Sequence, residues 1–167
     1  MADDKLQAKL VDYIEDNHAM ERNVLKMLDS LIATTDDEAI LADLRHHHEE
    51  TQQHIASLEA RLEAHGTSSS TRKDVEALSG AFFKGLADSV RGDKAGKNAR
   101  DAFVTEHLEI AAYELLERLA ERAGDTETAD VARKNRADEE AMAEKIAGTW
   151  DKVVDLTLRE NEISAVA

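Results

Sequence analysis

The sequence lacks cysteine and proline entirely and contains few aromatic residues. Without cysteine, the chain forms no disulfide, no thiolate nucleophile and no cysteine-ligated zinc site. Aromatic residues make up only 4% of the 167 residues, whereas strands draw on aromatic and β-branched side chains. The chain is instead rich in alanine, leucine, glutamate, aspartate, lysine and arginine, and this composition predicts an all-α fold.

Long apolar runs are also missing, so the sequence predicts no segment that spans a membrane. Residues 1–5 lack the basic start and the apolar stretch of a signal peptide, so we expect a cytoplasmic protein. The 36 acidic and 21 basic residues give a formal net charge of -15, which argues against binding to nucleic acid, itself a polyanion. The apolar fraction of 42% is nevertheless high enough for a packed core.

Apolar residues recur at helical spacing in four long segments, which predict helices over about 4–34, 37–65, 98–123 and 126–160. Short links join the first helix to the second and the third to the fourth, so each pair is expected to pack antiparallel. Residues 66–97 form a long crossover that contains an extra short helix in this prediction. The whole chain, 1–167, is therefore expected to be one four-helix bundle with the single-crossover topology of ferritin-like folds.

Carboxylates interrupt the apolar stripes of three predicted helices. Glu21 lies in the middle of the stripe on the first helix, and Glu139 lies near the centre of the stripe on the fourth. The third helix carries Glu106 and Glu109 one turn apart, with Tyr113 one turn further. An isolated ionised carboxylate in a core costs several kcal/mol, so each of these residues is expected to be paired, protonated or bound to a metal.

The second helix offers histidines at the corresponding depth. His47 and His54 lie at the edge of its apolar stripe, and at most one or two of the consecutive histidines at 46–48 can face a common site. Glu50 lies further round the helix, about 80° from the centre of the stripe, and its three rotatable bonds allow it to reach inward. We expect this helix to complete a site with one or more of these three residues.

Carboxylates clustered at one depth repel each other unless cations or protons lie between them. A pair of divalent metal ions is the simplest source of positive charge, and carboxylate with imidazole ligands suits iron or manganese. The predicted metal ligands are Glu21, His47, Glu50, His54, Glu106, Glu109 and Glu139. The alternative is a buried polar layer that fixes the register of the helices without any metal.

Four segments resemble the YciE/YciF group of ferritin-like proteins. They are AMERNVLK at 19–26, HHEET at 47–51, EHLEIAAY at 106–113 and the acidic triplet DEE at 138–140, of which EHLEIAAY is the most specific. The resemblance covers about residues 5–155. It implies a ferritin-like bundle that is usually a homodimer, is associated with bacterial stress responses and has no assigned activity.

The sequence departs from the usual ligand pattern of di-iron bundles, which carry Glu-x-x-His on two helices. Gln53 stands three residues after Glu50, and Met142 stands three residues after Glu139, so neither motif is present. Two functions therefore stay open. One is a metal-binding protein with oxidase- or peroxidase-like activity if the site holds two ions, and the other is a non-catalytic structural or interaction bundle with a degenerate site.

Overall fold

The computed structural model describes residues 2–67 and 94–163, which form five helices and contain no strand. The helices are α1 (Ala2–Thr34), α2 (Glu38–Ala64), α3 (Lys94–Ala123), α4 (Thr126–Ala147) and α5 (Trp150–Glu160). The prediction of an all-α fold is confirmed. The short helix predicted within the crossover lies outside the described residues.

Capping residues in the sequence fix the boundaries between helices. The Asp37 side chain accepts hydrogen bonds from the backbone N–H groups of Ala39 and Ile40, at 3.1 and 3.0 Å, and so begins α2. Gly124 ends α3 with a φ of 73°, a left-handed conformation that glycine adopts without steric cost. Asp125 then begins α4 by accepting a hydrogen bond from the Thr128 N–H at 3.0 Å.

The prediction of one continuous helix over 126–160 is wrong, because the chain forms α4 and α5 there. Thr149 separates the two helices with a φ of -108° and a ψ of 3°. Its N–H donates to the Ile146 carbonyl at 2.9 Å, and regular helix resumes where the Val153 N–H donates to the Thr149 carbonyl at 2.9 Å. Gly148, a poor helix former, lies directly before this break. The third predicted helix also begins earlier than expected, at Lys94 rather than at 98.

The four long helices form a closed square. Helix α1 packs against α2 and α3, and α4 packs against the same two helices. Contacts between Gln7 and Ala123, and between Glu21 and Tyr113, show that α1 and α3 run antiparallel. Because α1 and α2 are joined by a short link and are also antiparallel, α2 and α3 run parallel to each other. The chain therefore leaves α2 and enters α3 at opposite ends of the bundle, which confirms the ferritin-like topology.

The core consists of two apolar clusters on either side of a polar layer. One cluster contains Leu10, Ile14, Leu58, Leu62, Tyr113, Leu116, Ala120, Ala129 and Ala132. The other contains Met20, Val24, Met27, Leu28, Leu44, Ala102, Met142 and Ile146. The acidic and histidine side chains predicted from the sequence lie between them. In the part of the chain that the structure describes, no helix is both long and apolar enough to span a bilayer.

Candidate metal centre

Six of the seven side chains predicted as metal ligands meet in the polar layer. They are Glu21 from α1, His47 and His54 from α2, Glu106 and Glu109 from α3, and Glu139 from α4, each at most 1% exposed. The two histidines are seven residues apart, about two helical turns, and so share one face of α2. Of the three consecutive histidines, only His47 is buried.

Four of these residues form a first group of potential ligands. One ligand atom from each of His47, Glu106, Glu109 and Glu139 lies within 4.8 Å of the others. His47 Nε2 is 3.3 Å from Glu106 Oε2 and 3.3 Å from Glu139 Oε2. Three helices thus direct an imidazole nitrogen and three carboxylates at one point, a donor set that suits a divalent first-row metal ion.

A second group of potential ligands lies next to the first. It consists of Glu21, His54 and Glu139, whose ligand atoms also lie within 4.8 Å of one another. His54 Nδ1 is 2.9 Å from Glu139 Oε1 and 3.3 Å from Glu21 Oε1. This group takes one ligand each from α1, α2 and α4.

Glu139 belongs to both groups, and its two oxygens face different partners. Oε2 faces His47, and Oε1 faces His54. A carboxylate in this position can bridge two ions, and metal pairs in proteins lie about 3.5–4 Å apart. The two groups of potential ligands therefore share one carboxylate.

The hydrogen bonding of the polar layer also fits a bound cation. Within the described residues, several buried ligand atoms have no hydrogen-bond partner: Glu21 Oε2, His47 Nε2, His54 Nδ1, Glu106 Oε2, and both carboxylate oxygens of Glu109 and of Glu139. The close imidazole–carboxylate approaches do not have the angles of hydrogen bonds. Each unsatisfied buried polar group costs about 1–3 kcal/mol, and coordination to a metal would remove this cost.

The two histidines of the polar layer, His47 and His54, each contact a more exposed carboxylate through the ring nitrogen that faces away from the ligand groups. His47 Nδ1 lies 3.3 Å from Glu50 Oε2, and His54 Nε2 lies 3.1 Å from Asp138 Oδ2. Such contacts fix the orientation of a metal-binding imidazole and leave its inner nitrogen free for the metal. Glu50, predicted as a ligand, lies outside both ligand groups. Asp138 was not among the predicted site residues, because its place beside Glu139 puts it off the apolar stripe.

Tyr113 connects the second group to the apolar core. Its hydroxyl donates a hydrogen bond to Glu21 Oε1 and accepts one from Asn135 Nδ2 at 3.1 Å. Complete burial and the nearby Glu21 carboxylate raise the pKa of Tyr113 well above its ordinary value, so the phenol stays protonated. The residue thereby holds Glu21 in place within the second group of potential ligands.

Protons balance the charges of the layer when no metal is bound. Burial lowers the pKa of His47, but Glu106 and Glu139 outweigh this effect and raise it to about 9. Burial likewise opposes protonation of His54, but Glu139 and Glu21 raise its pKa to about 10. Burial, together with the neighbouring carboxylates, raises the pKa of Glu109. Bound iron or manganese would supply Lewis acidity and, for iron, one-electron redox chemistry at this layer.

Comparison with known proteins places the chain among related bundles. A protein from Xanthomonas campestris pv. campestris is 25% identical, with a TM-score of 0.79 over 95% of this chain and 99% of that one. The Escherichia coli stress protein YciF is 20% identical, with a TM-score of 0.78 over 90% of this chain and 97% of its own. YcfI from Rhodopseudomonas palustris, which has been suggested to be a structural protein, is 23% identical, with a TM-score of 0.70 over 85% and 92%.

The family profile described as "Domain of unknown function (DUF892)" matches residues 5–159, almost the whole bundle. This span includes all six side chains of the polar layer and agrees with the resemblance to the YciE/YciF group. The chain belongs to the DUF892 family.

Proposed function

We propose that the protein binds two divalent iron or manganese ions in the polar layer of the bundle. His47, Glu106 and Glu109 hold the ion at the first position, and Glu21 and His54 hold the ion at the second. Glu139 bridges the two ions. The observation that carries this proposal is the position of Glu139, whose two oxygens face two different histidines.

The chemistry of the proposed centre follows from its ligands. Carboxylates and imidazoles bind both oxidation states of iron and manganese, because they combine hard anionic oxygens with nitrogen donors. We propose that the loaded protein reacts with dioxygen or peroxide as an oxidase or a peroxidase. One of the solved relatives is called a stress protein, and an activity that removes an oxidant would suit a role in stress response.

Metal titration tests the proposal through its stoichiometry. We expect Co(II), a spectroscopic substitute for Fe(II), to bind with two ions per chain in the wild type, measured by visible absorption and by calorimetry. Glu106→Gln should lose the first ion and Glu21→Gln the second, so each variant should bind one ion tightly. Glu139→Gln should weaken both positions, because it changes the shared ligand.

Glu117→Gln is the matched control for these variants. Glu117 is a buried glutamate of α3, but it pairs with Arg133 and Arg136 outside the polar layer. This variant should therefore still bind two ions. Equal metal binding by Glu139→Gln and Glu117→Gln would refute the proposed centre.

The second candidate function is a structural or interaction bundle whose centre no longer binds metal. Its support is the elevated pKa of His47 and of His54, because two imidazolium groups can neutralise the buried carboxylates without any ion. On this hypothesis, chelators leave the melting temperature unchanged. On the metal hypothesis, a free ion at about 100 times its Kd stabilises the folded state by about 2.7 kcal/mol, so chelation lowers the melting temperature.

We also propose that the protein is a cytoplasmic homodimer. The support for a dimer is an exposed apolar stripe on α3, formed by Val104, Leu108 and Leu115, which are 48%, 41% and 55% exposed. These residues follow each other at spacings of four and seven, so they share one side of the helix. Light scattering on the purified protein measures its oligomeric state directly.

A further inference from the structure

A cavity of about 210 Å³ lies at the end of the bundle where α3 begins. Every described helix contributes apolar side chains to its wall: Leu31, Ile40, Leu44, Ala99, Ala102, Met142, Ile146, Val153 and Leu156. The break between α4 and α5 forms part of this wall through Thr149. None of the proposed metal ligands lines this cavity, so it is separate from the metal centre.

The inner wall of the cavity lies next to the polar layer. Leu44, Ala102 and Met142 line the cavity and are only 5–6% exposed. Each stands three or four residues along its own helix from a proposed ligand of the first metal position, namely His47, Glu106 and Glu139. Since one helical turn rises about 5.4 Å, a single layer of side chains separates the cavity from that position.

Several charged groups at the rim of the cavity already have partners. Lys145 Nζ lies 3.4 Å from Asp43, and Lys152 Nζ lies 2.6 Å from Asp37. The Glu160 carboxylate accepts hydrogen bonds from the backbone N–H groups of Lys94 and Ala95, at 2.9 and 3.2 Å. A charged ligand would have to break these pairs. The apolar side chains of its wall favour a small uncharged molecule as the ligand of this cavity.

We propose that this cavity binds a small apolar molecule, of the class that includes dioxygen, and admits it to the first metal position through the layer of Leu44, Ala102 and Met142. An apolar cavity of about 150 Å³ is known to stay dry and to take up xenon or benzene, so this larger one has room for a diatomic gas. Met142 is the flexible member of the layer, because methionine is unbranched and has three rotatable bonds. The inference rests on the proposed metal-binding function.

Xenon tests the cavity without any metal. Crystals of the metal-free protein pressurised with xenon should show the gas within the cavity of the wild type. Ala99→Phe places a ring in the wall of the cavity and should exclude xenon. If this variant does not fold, Ala95→Phe places a ring there from the neighbouring turn of α3. Ala60→Phe, an equal substitution at an exposed position of α2 outside the cavity wall, should retain xenon.

Nitric oxide tests the connection between the cavity and the metal. It is a small, nearly apolar gas that gives a visible absorption band on binding to Fe(II), so stopped-flow absorption measures its rate of arrival. In the Fe(II)-loaded protein, Ala99→Phe or Ala95→Phe should slow binding about tenfold, equivalent to about 1.4 kcal/mol in the activation free energy. Ala60→Phe should react at the wild-type rate, and all variants should bind Co(II) with wild-type affinity.

Two results would overturn the inference while leaving the proposed function intact. One is an absence of xenon from the cavity of a wild-type protein that binds two Co(II) ions. The other is xenon exclusion by the phenylalanine variants with no change in the rate of nitric oxide binding. If the wild type binds no Co(II) at all, the proposed function fails, and the delivery of a gas to a metal fails with it.

Discussion

Metal binding at the polar layer should release protons, because both proposed histidine ligands carry a proton in the metal-free protein. The pKa of His47 is raised to about 9 and that of His54 to about 10. At about pH 7 each imidazole is therefore almost fully protonated, and its inner nitrogen cannot bind a metal until the proton leaves. The free energy needed to deprotonate each imidazole follows from the difference between its pKa and the pH, at about 1.4 kcal/mol per unit. It is about 3 kcal/mol for His47 and about 4 kcal/mol for His54.

Binding of both ions should release at least two protons, one from each imidazole. Burial raises the pKa of Glu139 to about 8, despite the opposing effect of His54, and raises that of Glu109 as well, so these carboxyl groups add to the total. Raised pKa values mean that protons compete with the metal below the pKa and stop competing above it. Affinity for the pair of ions should accordingly increase at least about 100-fold per pH unit from about pH 6 to 8, and level off above about pH 10.

Calorimetry with Co(II) in buffers of different ionisation enthalpy measures the protons released for each ion bound. His47→Gln should retain the ion at the second position and release about one proton fewer. Binding of two ions with release of less than one proton at about pH 7 would refute the reasoning. It would show either that the imidazoles are neutral in the metal-free protein or that they do not bind the metal.

Two further predictions concern stability and assembly. Asp125→Ala should lower the melting temperature by about 2–8 °C, since it removes the N-cap of α4 and the partner of Arg61, at about 1–2 kcal/mol and about 2–4 °C per kcal/mol. Burial opposes ionisation of Asp125, but hydrogen bonds from Thr128 lower its pKa to about 2. The difference in melting temperature between this variant and the wild type should therefore be full above about pH 4 and shrink as the pH falls towards 2. Asp130→Ala, a substitution of an exposed aspartate, should have little effect on the melting temperature. Leu108→Glu should convert the proposed dimer to a monomer in light scattering without loss of helix content, and a wild type that is already monomeric would refute the dimer.

The fold was largely predictable because the signals for helices are local. Helical spacing of apolar residues gave the four long segments, and Asp37 and Gly124 stand at helix boundaries for reasons that concern only their own side chains and backbone. The break at Thr149 was missed, because an apolar pattern at helical spacing continues through it from Ile146 to Val153. A glycine within a helix costs only about 1 kcal/mol, so Gly148 alone did not predict an interruption.

The candidate site was predicted less completely, because a pattern along one helix shows which side chains are buried but not which atoms meet. His47 and His54 were placed only at the edge of the stripe of α2, yet both are fully buried against Glu139 of a distant segment. Glu50 and Asp138 occupy similar positions beside the two histidines, and only Glu50 was named from the sequence. A search for Glu-x-x-His could not find either histidine, because both lie on α2 and the carboxylates that face their inner nitrogens come from other helices.

The sequence by itself determined an all-α bundle through its apolar residues at helical spacing. It also determined charge in the core through the acidic and histidine residues that interrupt those stripes. Local propensity and periodicity carry that information, since each helix must bury one stripe whatever its neighbours are. The tertiary structure alone decided that Glu139 lies between two histidines, that one carboxylate contacts each outer imidazole nitrogen, and that a cavity ends one layer from the proposed metal position. These relations join residues of different helices, so they arise only when the helices pack and fix the relative depth of their side chains.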